Sequence, residues 1–374
     1  MEIKIKNNKL LETLSNIQSI VEKSNVKDIF SNVKISIKKN EIVFFTTDFS
    51  IFAKESIDIE SKDNLITTVS INIFYEIIKK IGGEEIINLI FDSYVNPKVM
   101  LITNNLNKFT LPCLPADEFP EFEENENEYN FEIMGNSLHK LISITNHAVA
   151  YHETKYDYSG LLFHTTFNKN IRILRSVATD GHRLAIAEIT LSTNTSLIPE
   201  IIIPKKTALE VSKLSEKFKG KVKIGISSNK IIFKISKTTL ISKLIDCVFP
   251  PYNDIIPKNN TKLFEISIDK LNKAIELVTA ITNKKTMNIT FIIKKNKVIL
   301  STIDKINSSA KVEIPVVYDK HEINITFNSK YLIDIFKNIR GKKAIFKLHS
   351  NNTPVLIEDS TNFDCRFVIM PIQN

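Results

Sequence analysis

Four consecutive residues, Asp180-Gly181-His182-Arg183, place a carboxylate, an imidazole and a guanidinium side by side, the raw material of acid–base chemistry. Catalysis would also need a nucleophile or ligands for a metal. The other histidines (His139, His147, His152, His164, His321, His349) form no His-x-x-x-His or His-Glu-x-x-His pair. Cys113, Cys247 and Cys365 are odd in number and lack metal-ligand spacing, which points to a reducing, cytoplasmic setting. Gly220 and Gly225 have the separation of a phosphate-binding loop, but Ile226 and Ser227 follow where lysine and a hydroxyl residue are needed. A hydrolase using Asp180 and His182 is therefore the weaker reading. The chain reads as a non-enzyme, with no catalytic residue, metal or cofactor expected.

A better explanation of Asp180 is repetition. Ser176-Val177-Ala178-Thr179-Asp180 continues into Arg183-Leu184-Ala185. Phe45-Thr46-Thr47-Asp48 continues into Ile51-Phe52-Ala53, and Ser301-Thr302-Ile303-Asp304 continues into Ala310-Lys311-Val312. One module used three times accounts for this spacing, and the shared aspartate then shapes a turn common to all copies. Only the middle copy adds Gly-His-Arg-Leu, so His182 and Arg183 become candidates for contacting a partner.

Each copy must build the elements that hold this turn. The first helix of each carries an apolar stripe: Leu10, Leu14, Ile17 and Val21; then Leu138, Leu141, Ile142 and Val149; then Leu271, Ala274, Ile275 and Val278. Alternating segments such as 33–37 and 289–293 read as strands. Second helices are expected over 73–81, 205–218 and 330–339, and further strands over 86–91, 222–226, 231–235 and 344–348. The predicted fold class is α+β: three repeated modules, 1–127, 128–251 and 252–374, each with two helices and antiparallel sheet. The 374 residues suffice for about two to four domains. No apolar run reaches the roughly 18–20 residues that cross a bilayer, and the opening Met1-Glu2-Ile3-Lys4 does not read as a signal peptide.

Charge is unevenly spread along the chain. Residues 1–127 hold 14 lysines against 20 acids; residues 128–251 hold 17 basic residues against 10 acids, and residues 252–374 hold 19 against 12. One acidic module followed by two basic ones favours head-to-tail association, and the basic ones could meet a polyanion. Each second helix repeats an acid and a lysine three residues apart: Glu76 and Lys79, Glu210 and Lys213, Asp334 and Lys337. Such pairs either brace a solvated helix face or turn three equivalent lysines toward a common axis. Lys206, Lys217, Lys330 and Arg340 deepen the positive face of the later helices.

The middle motif from Ala178 to Ala185, Pro115-Ala116-Asp117-Glu118-Phe119-Pro120, Ser242-Lys243-Leu244-Ile245-Asp246 before Phe249-Pro250, and the closing Phe367-Val368-Ile369-Met370-Pro371-Ile372 occur in one order. Together they resemble the bacterial sliding clamp family, the β subunit of DNA polymerase III, over essentially the whole chain. The resemblance implies a head-to-tail homodimeric ring with helices inside. Such a ring encloses double-stranded DNA without reading its sequence and tethers polymerases, the clamp loader and repair proteins through short Leu/Phe peptides.

The resemblance also implies site residues. The peptide slot would comprise Tyr158, Gly160, Thr179, Gly181, His182, Arg183, Leu184, Pro250, Ile255, Val368, Ile369, Met370, Pro371 and Ile372. DNA would be faced by Lys23, Lys79, His152, Tyr156, Lys206, Lys213, Lys217, Lys337 and Arg340. The dimer seam would use Phe109 and Leu111 against Ala280 and Ile281. Asp157 and Ser24 depart from the family pattern along the DNA path, and Asp254, Asn352 and the Gln373-Asn374 ending depart from it at the slot, so peptide preference at the rim is expected to shift. A clamp paralogue serving resistance or repair is the alternative use of the same ring.

Overall fold

The apolar stripes fold as helices and the alternating segments as antiparallel strands. The computed structural model describes every residue except 22–27, 62, 122–128, 151–155, 193–196, 282–286, 304–308, 363 and 374. Its helices are α1 (Asn7–Ile17), α2 (Ile71–Ile81), α3 (Gly135–Asn146), α4 (Lys205–Glu216), α5 (Ile268–Thr279) and α6 (Ser329–Phe336). α1 buries Leu10, Leu14 and Ile17, and α5 buries Leu271, Ala274, Ile275 and Val278. Each fully buried leucine or isoleucine contributes about 1.5–3 kcal/mol. α6 stops short of residue 339 because the chain turns away to the carboxylate of Asp359, which accepts from the backbone N–H groups of Arg340 (3.0 Å) and Gly341 (2.9 Å).

The chain forms two compact units, residues 1–139 with 209–244, and residues 140–208 with 245–374. The division arises because sheets are shared between copies, where the sequence suggested sheet confined to each module. In the first unit an eight-stranded sheet runs, in spatial order, Leu65–Ser70, Asn32–Lys38, Glu41–Thr47, Ile51–Asp58, Thr238–Lys243, Lys230–Ile235, Lys221–Ile226 and Tyr129–Met134. Four strands come from the first copy and four from the middle one. A four-stranded sheet, Glu2–Lys6, Ile86–Phe91, Val99–Thr103 and Lys108–Pro112, completes that unit.

The second unit repeats the plan. Ile201–Pro204, Gly160–Asn168, Ile171–Thr179 and Arg183–Thr190 of the middle copy join Cys365–Ile369, Val355–Asp359, Lys343–Leu348 and Lys262–Ser267 of the last. Its four-stranded sheet is Ser309–Pro315, Lys297–Ile303, Asn288–Lys294 and Ile323–Asn328. All pairings are antiparallel. With only eight glycines in the chain, asparagine takes several left-handed turn positions, at Asn40, Asn96, Asn170 and Asn296. Lys169 (φ 46°) and Asn170 (φ 69°) close the 160–168/171–179 hairpin as a primed turn, whose twist suits the strands it joins.

The joint between first and middle copies carries a buried acid. Glu55 lies in the first copy's last joining strand, accepting from Thr238 Oγ1 (2.6 Å) and Asn16 Nδ2 (3.2 Å). Burial raises its pKa despite those hydrogen bonds. The folded pKa therefore exceeds the unfolded one. Glu55 stabilises the fold below its unfolded pKa, and that contribution is lost as pH rises through the folded value. Glu55→Gln should be more stable than the native chain to urea at pH 7, with the gap closing as pH falls toward 5. A gap that widens on acidification would contradict this sign.

Candidate functional site

The turn at Asp180 is built from backbone demands. Asp180 Oδ1 accepts from the N–H groups of His182 (2.9 Å) and Arg183 (3.1 Å), while Thr179 Oγ1 accepts from Gly181 N–H (3.1 Å) and donates to the Arg183 carbonyl (2.8 Å). The first copy makes the same turn. Asp48 Oδ1 accepts from Ser50 (2.9 Å) and Ile51 (2.7 Å), and Thr47 Oγ1 contacts Phe49 N–H and the Ile51 carbonyl equivalently. The position after the aspartate has positive φ in both, 86° at Gly181 and 70° at Phe49. Asp180 is thus a turn-former, as repetition suggested. Asp304 lies outside the described residues.

Arg183 departs from its expected role as an outward contact. Its side chain is 2% exposed, Nε donates to Asp180 Oδ2 (3.0 Å), and Nη1 donates to Asp334 Oδ2 (2.8 Å). The guanidinium also stacks over Tyr331, 4.3 Å from the ring centre. Only its backbone reaches the slot described next. Beside this cluster His147, which accepts from Asn338 Nδ2 (3.3 Å), is pushed down to about 4 by burial and then by the Arg183 charge. It is therefore neutral at physiological pH.

Strand pairing carries the turn to the end of the chain. Leu184 lies opposite Val368 and Arg183 opposite Ile369, and Met370 N–H donates to the His182 carbonyl (2.9 Å). Leu184 and Val368 belong to one apolar cluster with Leu162, Val177, Ile186, Ile202, Ile245, Phe249, Tyr252 and Leu356, bordered by Ile255, Ile256 and Cys247. Gly160 lies beneath it and admits no side chain: a Cβ there would sit 2.6 Å from the Ile203 carbonyl oxygen. Met370 stays 38% exposed, and Gly181 and His182 are also exposed. Tyr158, Pro250, Pro371 and Ile372 are half-buried, while Thr179 and Ile369 are buried.

The outcome is an apolar floor, a flexible methionine at its edge and polar backbone around it. This chemistry suits aliphatic or aromatic anchors of a short peptide. Tyr252 fixes one wall, its hydroxyl held by Arg175 Nη1 (2.9 Å) and His164 (2.9 Å). Burial and then Arg175 lower the His164 pKa. Sequence reading missed Tyr252 and the floor residues Leu162, Val177, Ile202, Ile245 and Leu356. Tyr252 carried the one local signal: an aromatic directly after Pro250-Pro251.

The other expected residues are scattered along the helices and edge strands. Lys79 pairs with Glu76 (3.7 Å), both about half exposed. Its counterparts behave differently: Lys213 Nζ donates to the Ser15 carbonyl (2.8 Å) and Ser19 Oγ (3.2 Å), and Glu210 accepts from Ser19 (2.7 Å). Asp334 serves Arg183, leaving Lys337 exposed together with Lys217 and Arg340, while Lys206 is half-buried. Lys23 and His152 lie outside the described residues; Tyr156 opens a short 3-10 turn. Phe109 is half-buried on the edge strand Lys108–Pro112, but Leu111 points into its own core at 2% exposure and cannot offer its side chain to a partner. Ala280 and Ile281 follow the end of α5, Ala280 exposed and Ile281 half-buried.

Three family models of the DNA polymerase III beta subunit match in order: the N-terminal domain over residues 1–123, the central domain over 132–251 and the C-terminal domain over 253–373. The beta sliding clamp of Caulobacter vibrioides is 31% identical over 379 aligned positions covering both chains completely. A Caulobacter crescentus beta sliding clamp, solved with polyethylene glycol at its putative beta-motif tethering region, superposes with a TM-score of 0.94 at 30% identity, covering 100% of this chain and 99% of that one. A Bartonella birtlesii sliding clamp bound to griselimycin gives 0.95 at 29% identity with both chains fully covered.

Proposed function

The chain belongs to the DNA polymerase III beta subunit family, the bacterial sliding clamps, and from that membership we propose how its own residues close a ring, hold DNA and receive partners. As a member it is a non-enzymatic processivity factor for DNA synthesis. The functional modules are taken as 1–127, 128–251 and 252–374, working in the cytoplasm.

One observation carries the ring. In each internal joint, the strand after the aspartate turn pairs with the last strand of the following copy: Ile51 faces Ser242, and Arg183 faces Ile369. Among the described residues two strands lack such a partner, Ser309–Pro315 at one sheet edge and Lys108–Pro112 at another. Exposed edges are normally paired or protected. Joining them between two subunits restores an eight-stranded sheet and closes a head-to-tail pair, with the acidic first module against the basic last one.

The repeat also specifies the register. Leu114 and Leu244 both stand five residues before a Phe-Pro pair, so Pro112 corresponds to Ser242. Phe109 then faces Ala310, and Thr110 faces Ser309. The burial alternation is compatible: Phe109 and Ala310 are half-buried, while Thr110 and Ser309 are exposed.

Inside the ring, Lys79, Lys206, Lys217, Lys337 and Arg340 would attract phosphates without sequence preference, with Lys213 contributing charge from its anchored position. Lys23, His152 and Tyr156 are proposed for the same path. Enclosure supplies retention, so weak contacts permit sliding.

The slot around Leu184, Val368 and Met370 is proposed to take the Leu/Phe anchors of polymerases, the clamp loader and repair proteins. A labelled Gln-Leu-x-Leu-Phe peptide should bind with a Kd on the order of 1 μM, weakening at least about tenfold when residues 370–374 are removed. Equal binding by the full and shortened chains would remove this slot as the receptor.

A further inference from the structure

We infer that the joint between the first and middle copies carries a second peptide-docking slot, selective for an acidic segment bearing a leucine or phenylalanine anchor. The strand pairing places Phe52 opposite Ile241, at the register positions that Leu184 and Val368 occupy in the slot already described. Ile241 is buried and Phe52 half-buried, giving a floor and one wall. Phe49 stands where Gly181 stands, 49% exposed and packed on Phe30 at 4.4 Å between ring centres. Lys243 replaces Met370 by the same register, and Lys230 lies opposite Lys243. A cavity of about 200 Å³ opens among Phe49, Phe52, Ile241, Lys230, Lys243 and Glu121. That is room for one anchoring side chain.

The rim determines the occupant's charge. Beyond Glu121 the surface continues into a wider groove of about 500 Å³ lined by Lys34, Lys38, Lys54, Phe45, Ile66 and Pro120. Lys34 lies 5.9 Å from the Phe45 ring centre and 5.7 Å from that of Phe119. Lysines therefore border an aromatic channel, although the first 127 residues are net acidic. The middle–last slot has a methionine and uncharged backbone at its edge; this one has Lys230 and Lys243 against a single acid, Glu121. Duplication has kept the joint and changed the rim, so the partner is an acidic peptide with an apolar anchor. The inference does not depend on the ring.

The test uses the full-length protein and a fluorescein-labelled synthetic peptide, Asp-Glu-Leu-Phe-Asp-Glu, with Lys-Lys-Leu-Phe-Lys-Lys as control. The acidic peptide should saturate the protein and outbind the control. Lys230→Glu with Lys243→Glu should weaken it by about tenfold or more through like-charge repulsion, while removal of residues 370–374 changes its affinity by less than about twofold. In the unaltered protein, a photo-crosslinking phenylalanine at the anchor position should attach within residues 49–54 or 239–243. Four results would overturn the inference: no saturation at millimolar peptide, equal binding of the basic control, loss on truncation but not in the lysine variant, or crosslinks elsewhere. Displacement of the peptide by a thymidine oligonucleotide that itself depends on both lysines would reassign the face to single-stranded nucleic acid.

Discussion

Replacing Arg183 with alanine should lower the stability of the unit containing it by about 3–5 kcal/mol, the usual consequence of leaving buried charges without their partner. The side chain is 2% exposed, and its two carboxylates are only 13% and 22% exposed, so water cannot readily replace the guanidinium. Asp180 belongs to the middle copy and Asp334 to the last, which makes Arg183 the ionic bolt of that joint. Loss of stacking on Tyr331 adds to the effect. Urea unfolding of Arg183→Ala should show the early loss of a transition. A triple change, Arg183→Met with Asp180→Asn and Asp334→Asn, should recover much of it because no buried charge remains. A loss below about 1 kcal/mol in the single variant would show that the cluster is solvated in solution.

The second large effect concerns the subunit seam. Residues directly opposite across antiparallel strands have Cα atoms about 4.5–5.5 Å apart, inside the range a disulfide spans. Phe109→Cys combined with Ala310→Cys, in a Cys247→Ser background, should therefore give covalent dimers on oxidation. Cys113 and Cys365 are buried and, with thiol pKa values raised to about 11 and about 12 by burial, are poor competitors. Phe109→Cys with Ser309→Cys should crosslink far less, because a one-residue slip turns the side chains to opposite faces. Independently, Ala310→Arg should shift the native mass from dimer to monomer while the monomer stays folded. Equal crosslinking in both registers would refute the pairing derived from the repeat.

Much of this was legible in the residues. The stripes at Leu10, Leu14 and Ile17, or at Leu271, Ile275 and Val278, mark helices because a 3.6-residue period has one buried face. Repetition of Thr-Asp in the first and middle copies identifies a turn from sequence alone, and it discounts acid–base chemistry at Asp180. Strand partnership was not legible. The pattern says that 33–37 and 231–235 are strands, but it does not name their neighbours, so a sheet that contains both, shared across copies, was not foreseen.

The inward direction of the Arg183 side chain was not legible for a related reason. Residues Arg183, Leu184, Ala185, Ile186 and Ala187 are all buried, on both faces, so parity could not say that the guanidinium points inward. The proposed slot floor gathers Leu162, Val177, Ile202, Ile245 and Leu356 from five separate strands or loops, and each alone looks like ordinary core. The resemblance placed Leu111 at the seam, whereas its side chain packs into the core of its own sheet.

Retention on DNA tests the ring most directly. Labelled protein loaded onto nicked circular plasmid by a clamp loader with ATP should remain bound through gel filtration in high salt, where phosphate attraction is screened. Cutting the plasmid once should release it, because a closed ring slides off free ends. Protein that dissociates equally from circular and linear DNA, or stays on both after cutting, would contradict topological enclosure.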